Sequence, residues 1–118
     1  MRRDLGVIAN QAKGLKARLG DWGVLPYFSV VASSWEAGFA KPDPALFRYA
    51  LSLAACVPEE AVMIGDRLDN DIFPAKALGM KTVWLRQGFG ALQTPKGPEY
   101  TPDHTIDSLT ELPGIFLL

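Results

Sequence analysis

Residues 63–72, MIGDRLDNDI, place three aspartates, Asp66, Asp69 and Asp71, within six positions directly after an apolar run. Like charges at this density repel unless a cation or hydrogen-bond donors hold them. Asp66 and Asp71 offer hard oxygen ligands of the kind Mg²⁺ takes, which suits metal-assisted chemistry on a phosphate. Lys41, in AKPDP, is a point charge just before a predicted helix, and Asn10 ends an apolar run and offers amide donors. Carboxylates for a metal, a lysine and backbone donors fit phosphoryl transfer better than glycoside or acyl chemistry. A Ser-His-Asp arrangement competes poorly, because the single histidine, His104, lies in an irregular tail, and there is no glycine-rich Walker loop.

These side chains need elements to position them. Leu5 to Asn10, LGVIAN, reads as a short buried strand. Residues 12–22 carry Leu15 and Leu19 at helical spacing, with Gly23 as a stop. FSVVAS, residues 28–33, reads as a second strand, and SWEAGFAKPDP as a loop. Asp43 caps and Pro44 begins a helix whose apolar face is Leu46, Phe47, Ala50, Leu51 and Ala54. AVMIG is a third strand, ending in the aspartate cluster, and a short helix follows from roughly Asn70 to Leu78, with Gly79 as its stop. KTVWL is a fourth strand, residues 86–104 a long irregular loop, HTI a short edge strand and SLTELPGIF a closing helical turn. Strands alternating with helices predict an α/β domain with a mostly parallel sheet, in which ligands sit beyond the carboxyl ends of the strands. Asn10, Ser33 and Asp66 fall at such ends, which would let them meet at one rim.

Composition narrows the function classes. A chain of 118 residues is one domain by length, and at 48% apolar it can bury a modest core. With 12 basic and 13 acidic residues it has no electrostatic footprint for nucleic acid or for an anionic membrane surface. No apolar run reaches the roughly 20 residues of a membrane helix. The single cysteine, Cys56, excludes an internal disulfide framework and reads as a small buried hydrophobe. A cytoplasmic chain is expected.

GVIANQ, KPDPALFRYAL and MIGDRLDNDIFPAKALGMKTVWL, in this order, resemble the haloacid dehalogenase (HAD) superfamily of phosphohydrolases over about residues 5–90. The resemblance implies a Rossmann-like, HAD-type parallel sheet with flanking helices. It implies Mg²⁺-dependent hydrolysis of a small phosphate ester through an aspartyl-phosphate. Asp66 would ligate Mg²⁺ and Asp71 support it, directly or through water. Lys41 would steady the nucleophile and the substrate phosphate. The family's hydroxyl residue falls on Ala9, which has no hydroxyl, so phosphate binding would rest on the backbone N–H of Asn10 and on its side chain.

The family's nucleophile, an aspartate in DxDx(T/V) at the end of its first strand, has no match in these residues, since the only upstream acid, Asp4, precedes a strand instead of following one. The cap has no match either. The chain is therefore expected to be the carboxyl-terminal part of a HAD core, residues 1–118 forming a single partial domain that lacks the first, central strand. That strand lies, in the family, between those matching LGVIAN and AVMIG. Those two then close on each other or associate through their edges, and a homodimer is the favoured expectation.

Two functions from different classes follow. One is a phosphohydrolase whose isolated chain is inactive for want of the nucleophile. The other is a non-catalytic HAD-fold module with a structural or assembly role. Asp69 reads as a capping or turn residue, Arg67 as the partner either of a substrate anion or of a neighbouring acid, and Trp22, Trp35 and Trp84 as packing residues. His104 reads as a surface residue, and GFG, residues 88–90, as a loop near the rim.

Overall fold

The computed structural model describes residues 5–116, so Asp4 lies outside the described residues. The chain divides into two compact units, Met1–Val57 and Pro58–Leu118.

The first unit is built on two parallel strands, β1 (Gly6–Ala9) and β2 (Val30–Ser33), with Gly6 opposite Val30 and Ala9 opposite Ser33. Alternation of side chains along the strands gives the sheet two apolar faces. On one, Val30, Ala32 and Ile8 pack with Leu46 and Ala50 of helix α3 (Pro44–Ala54). On the other, Val31, Val7 and Ala9 pack with Leu15 and Leu19 of helix α1 (Leu15–Asp21). Leu46 and Phe47 are fully buried, and each such side chain contributes roughly 1.5–3 kcal/mol relative to exposure. Asp43 caps α3 as expected, its Oδ1 accepting the Ala45 N–H at 2.9 Å, with Pro44 at the first helical position. Ala54, placed on the apolar face from the sequence, is exposed, and Cys56 is only half-buried.

Within the stretch read as a loop, Ser34–Ala37 forms a single helical turn, α2. Ser33 caps it by accepting the Glu36 N–H at 3.3 Å. The turn escapes a periodicity argument because four residues cannot display a 3.6-residue repeat.

The second unit holds three parallel strands, β3 (Val62–Gly65), β4 (Lys81–Leu85) and β5 (His104–Ile106), in the order β3-β4-β5. HTI is therefore an edge strand, as its length suggested. Val83, Leu85 and Ile106 pack on one face with Leu112 and Ile115 of helix α5 (Leu112–Phe116). Trp84 points to the opposite face and packs with Leu68 and Ile72. Those two belong to a π-helical turn, Leu68–Ile72, which runs into helix α4 (Phe73–Leu78). The helix stops at Gly79, in the left-handed region at φ 96°. Of the three tryptophans only Trp84 is a packing residue, whereas Trp22 and Trp35 are more than half exposed. Among the described residues no helix is long and apolar enough to cross a membrane.

Candidate functional site

Asn10 is the first residue after β1, and both ends of its side-chain amide bond to the backbone of Lys41. Its Oδ1 accepts the Lys41 backbone N–H at 2.7 Å, and its Nδ2 donates to the Lys41 carbonyl at 3.0 Å. One amide thus holds both backbone groups of a residue 31 positions away. The Lys41–Pro42 peptide bond is cis. The neighbouring residue is fastened too. Ser34 Oγ accepts the Gln11 N–H at 3.0 Å and donates to the Gln11 carbonyl at 3.2 Å, tying the exit of β1 to the exit of β2. The sequence put Asn10 forward for its amide donors; the structure spends the side chain on Lys41. Ala9 packs with the α1 cluster.

In the second unit, Asp66 follows β3 directly and Asp71 lies on the π turn. Asp71 is 4% exposed, and its Oδ2 accepts the Arg67 N–H at 3.2 Å. It sits against the backbone of Gly65. A Cβ on Gly65 would come within 2.6 Å of Asp71 Cγ and Oδ2 and closer still to Asp71 Cβ. The last residue of β3 must therefore be glycine for Asp71 to occupy this position. The π turn places it there, since both the Asp71 and the Ile72 N–H groups return to the Arg67 carbonyl, at 3.0 and 3.2 Å. Wide turns of this kind recur at functional sites.

Asp69, the third acid, is neutralised locally. Arg67 grips it in a two-pronged pair, Nε to Oδ1 at 3.0 Å and Nη2 to Oδ2 at 2.7 Å. Asp69 Oδ1 also accepts the Asn70 N–H at 2.9 Å and Gln93 Nε2 at 3.0 Å. The Arg67 hydrogen bond, aided by these donors, pushes the Asp69 carboxyl down to about 2. The same bond to Asp69 raises the guanidinium above its usual range, and the charges of Asp71 and Asp66 add to that. Asp69 is thus the turn residue that the sequence suggested, and of the two partners open to Arg67 the neighbouring acid is the one it meets.

The remaining pair, Asp66 and Asp71, presents hard oxygen chemistry suited to Mg²⁺. Among the described residues no three or more His, Cys, Asp or Glu side chains cluster as a metal site by themselves, so a cation here would keep waters or take a further ligand. The residues that position this pair left no sequence signal. The Trp84 indole N–H donates to the Asp66 carbonyl at 3.2 Å, and Gly90 packs on that carbonyl. Gln93 Oε1 accepts the Leu68 N–H at 2.7 Å. Each contact spans 18 or more positions, beyond the reach of local pattern.

Comparison with known proteins matches this geometry to a family. The HAD-hydrolase-like family profile matches residues 38–112. The chain is 37% identical over 109 residues to phosphoserine phosphatase of Thermus thermophilus, covering 92% of this chain and 42% of that protein. It is 43% identical over 93 residues to glyceraldehyde 3-phosphate phosphatase of Methanocaldococcus jannaschii, covering 79% and 40% respectively. Among solved structures, the putative HAD-hydrolase YfnB from Bacillus subtilis, bound to magnesium, superposes with a TM-score of 0.83 at 30% identity, over 98% of this chain and 50% of that one. The chain spans less than half the length of these curated relatives. With its parallel α/β architecture and a family match over residues 38–112, the chain belongs to the HAD-like hydrolase family.

Proposed function

We propose that this chain supplies the metal-binding acids and the phosphate-facing lysine of a Mg²⁺-dependent phosphohydrolase that cleaves a small phosphate ester through an aspartyl-phosphate. The observation that carries this reading is the fit of buried Asp71 against Gly65, next to Asp66 at the end of β3. Asp66 and Asp71 would hold Mg²⁺. When bound, the ion would neutralise charge on the phosphate. Lys41 would add a positive charge from a backbone that Asn10 fixes, and the Asn10 backbone N–H, not its engaged amide, would face the phosphate oxygens. The nucleophilic aspartate would come from outside these residues, because no DxDx(T/V) stands among them. The relatives point to a small phosphomonoester as the substrate class. The balanced charge and lone cysteine support a cytoplasmic setting.

Mg²⁺ titration by calorimetry tests the metal reading. Two carboxylates with waters predict a Kd on the order of millimolar, lost in Asp66→Asn. Affinity unchanged in that variant would refute it. For the reaction, the chain alone is expected to leave p-nitrophenyl phosphate intact. A longer product read in frame upstream of Met1 and carrying DxDx(T/V) is expected to turn it over and to lose that activity in Lys41→Ala. Hydrolysis by the chain alone would refute the assignment of the nucleophile.

The strand edges favour a second reading, a non-catalytic module with an assembly role. Each of β1 and β3 stands at an edge of its own sheet, with one strand neighbour each among the described residues. Such edges accept strands, and a homodimer through one of them is the assembly we propose. Sedimentation across a concentration series decides it, and a monomer at about 100 µM, where cooperative small domains are readily studied, argues against it.

A further inference from the structure

Gln93 ends the turn Gly88–Leu92 and reaches back to the acidic segment with both ends of its amide. Its Oε1 accepts the Leu68 N–H at 2.7 Å, and its Nε2 donates to Asp69 Oδ1 at 3.0 Å. Three residues earlier, Gly90 is buried against the Asp66 carbonyl, so close that a Cβ there would overlap the carbonyl oxygen and come 2.9 Å from its carbon. Residues 88–93 therefore touch the acidic segment at Asp66, at Leu68 and at Asp69, all between β3 and Asp71. The two ends of the amide meet opposite needs, an acceptor for Leu68 and a donor for Asp69. A carboxylate would keep the acceptor for Leu68 but set a like charge on Asp69, and a lysine would lack the acceptor.

The physical need is clear from the position of the two acids. Asp66 and Asp71 are five residues apart, and the shape of the backbone between them contributes to their relative placement. Leu68 is 2% exposed, so its N–H cannot turn to water without pulling the side chain out of the Trp84 and Ile72 cluster. Without Gln93 that donor is left unsatisfied, and the segment must relax to recover a partner.

We propose that Gln93 is a positioning residue for cation binding. By holding Leu68 and Asp69 it keeps the segment in the one shape that presents Asp66 and Asp71 together. The inference rests on the metal reading above and assigns Gln93 no contact with the ion.

The test is Mg²⁺ titration of the chain by calorimetry, paired with hydrogen exchange at the Leu68 amide. Gln93→Ala is expected to weaken Mg²⁺ binding about tenfold, as loss of an outer-shell partner does, and to speed Leu68 exchange about tenfold. Gln93→Met, which keeps the volume and removes both hydrogen bonds, is expected to behave alike and guards against a folding failure in the alanine variant. Lys76→Ala serves as the comparison, since it removes a different long-range clamp in the same unit, Nζ to the Thr101 carbonyl at 2.7 Å. It is expected to lower thermal stability and leave Mg²⁺ affinity unchanged. Affinity within twofold of wild type in a folded Gln93→Met chain, or an equal loss in Lys76→Ala, overturns the positioning role. Wild-type binding no tighter than Asp66→Asn overturns the metal reading itself, and with it this inference.

Discussion

Replacing Gly65 by alanine adds one methyl group, and the structure says where it goes. It lands within 2.6 Å of Asp71 Cγ and Oδ2, where carbon atoms do not come in folded proteins, and nearer still to Asp71 Cβ. A rotamer change at Asp71 cannot relieve this, because Cβ moves only with the backbone. That backbone belongs to the π turn, pinned by Leu68 and Ile72, which are 2% and 0% exposed. The turn must therefore shift as a body. Overpacking of this kind costs about 1–3 kcal/mol. If Asp71 swings away, the Arg67 N–H loses its acceptor, for a further 1–3 kcal/mol or so. Together the loss is about 2–6 kcal/mol, a large share of the roughly 5–15 kcal/mol that a domain commands. At about 4 °C per kcal/mol for a chain of this size, Tm falls by about 8–24 °C. Thermal unfolding followed by circular dichroism measures it. Gly114→Ala is the control, since nothing lies within 4 Å of a Cβ there, and it should be neutral or slightly stabilising. A Gly65→Ala chain that melts within about 3 °C of wild type, less than 1 kcal/mol by the same conversion, would refute the packing argument.

Asn10→Ala should cost about 1 kcal/mol, since the clamp is exposed, and should move the Lys41 amide resonance in an NMR spectrum; an unmoved resonance would mean that the clamp does not form in solution. Asp103→Ala removes the acceptor of both the Thr82 N–H, at 2.8 Å, and the Thr82 hydroxyl, at 3.2 Å; Thr82 is fully buried, so denaturant unfolding should show a loss of about 2–4 kcal/mol. Asp69 titrates in the fold at about 2, below its ordinary 3.8, so the stability it contributes is complete above that ordinary value and is lost as pH falls through about 2. The Arg67 and Asp69 side chains are 40% and 39% exposed, so screening reduces that contribution to about 1 kcal/mol. Asp69→Asn should therefore be the less stable protein at pH 7, with the gap closing toward pH 2, and a gap that persists there would contradict the pairing.

The sequence by itself determined the classes of element and the identity of the chemical groups. Short β-branched runs such as VVAS and KTVWL make strands wherever they are buried, and Asp43 with Pro44 starts a helix by local hydrogen bonding alone. Asp66 and Asp71 could be singled out because carboxylates at that density must be balanced by something. The tertiary structure decided which donors meet which acid: Asp69 is held by Arg67, Asn70 and Gln93, while Asp71 accepts the Arg67 N–H with its side chain against Gly65. Arg67 and Asp69 pair across one turn, and that much was legible. Gln93 reaches Leu68 over 25 positions, and Asn10 reaches Lys41 over 31. Gly65 reads as an ordinary strand end until Asp71 is seen lying against it. Such contacts are invisible in sequence because an amide or a glycine has no preferred partner of its own. Its role arises only when folding brings a distant backbone within hydrogen-bond or van der Waals reach.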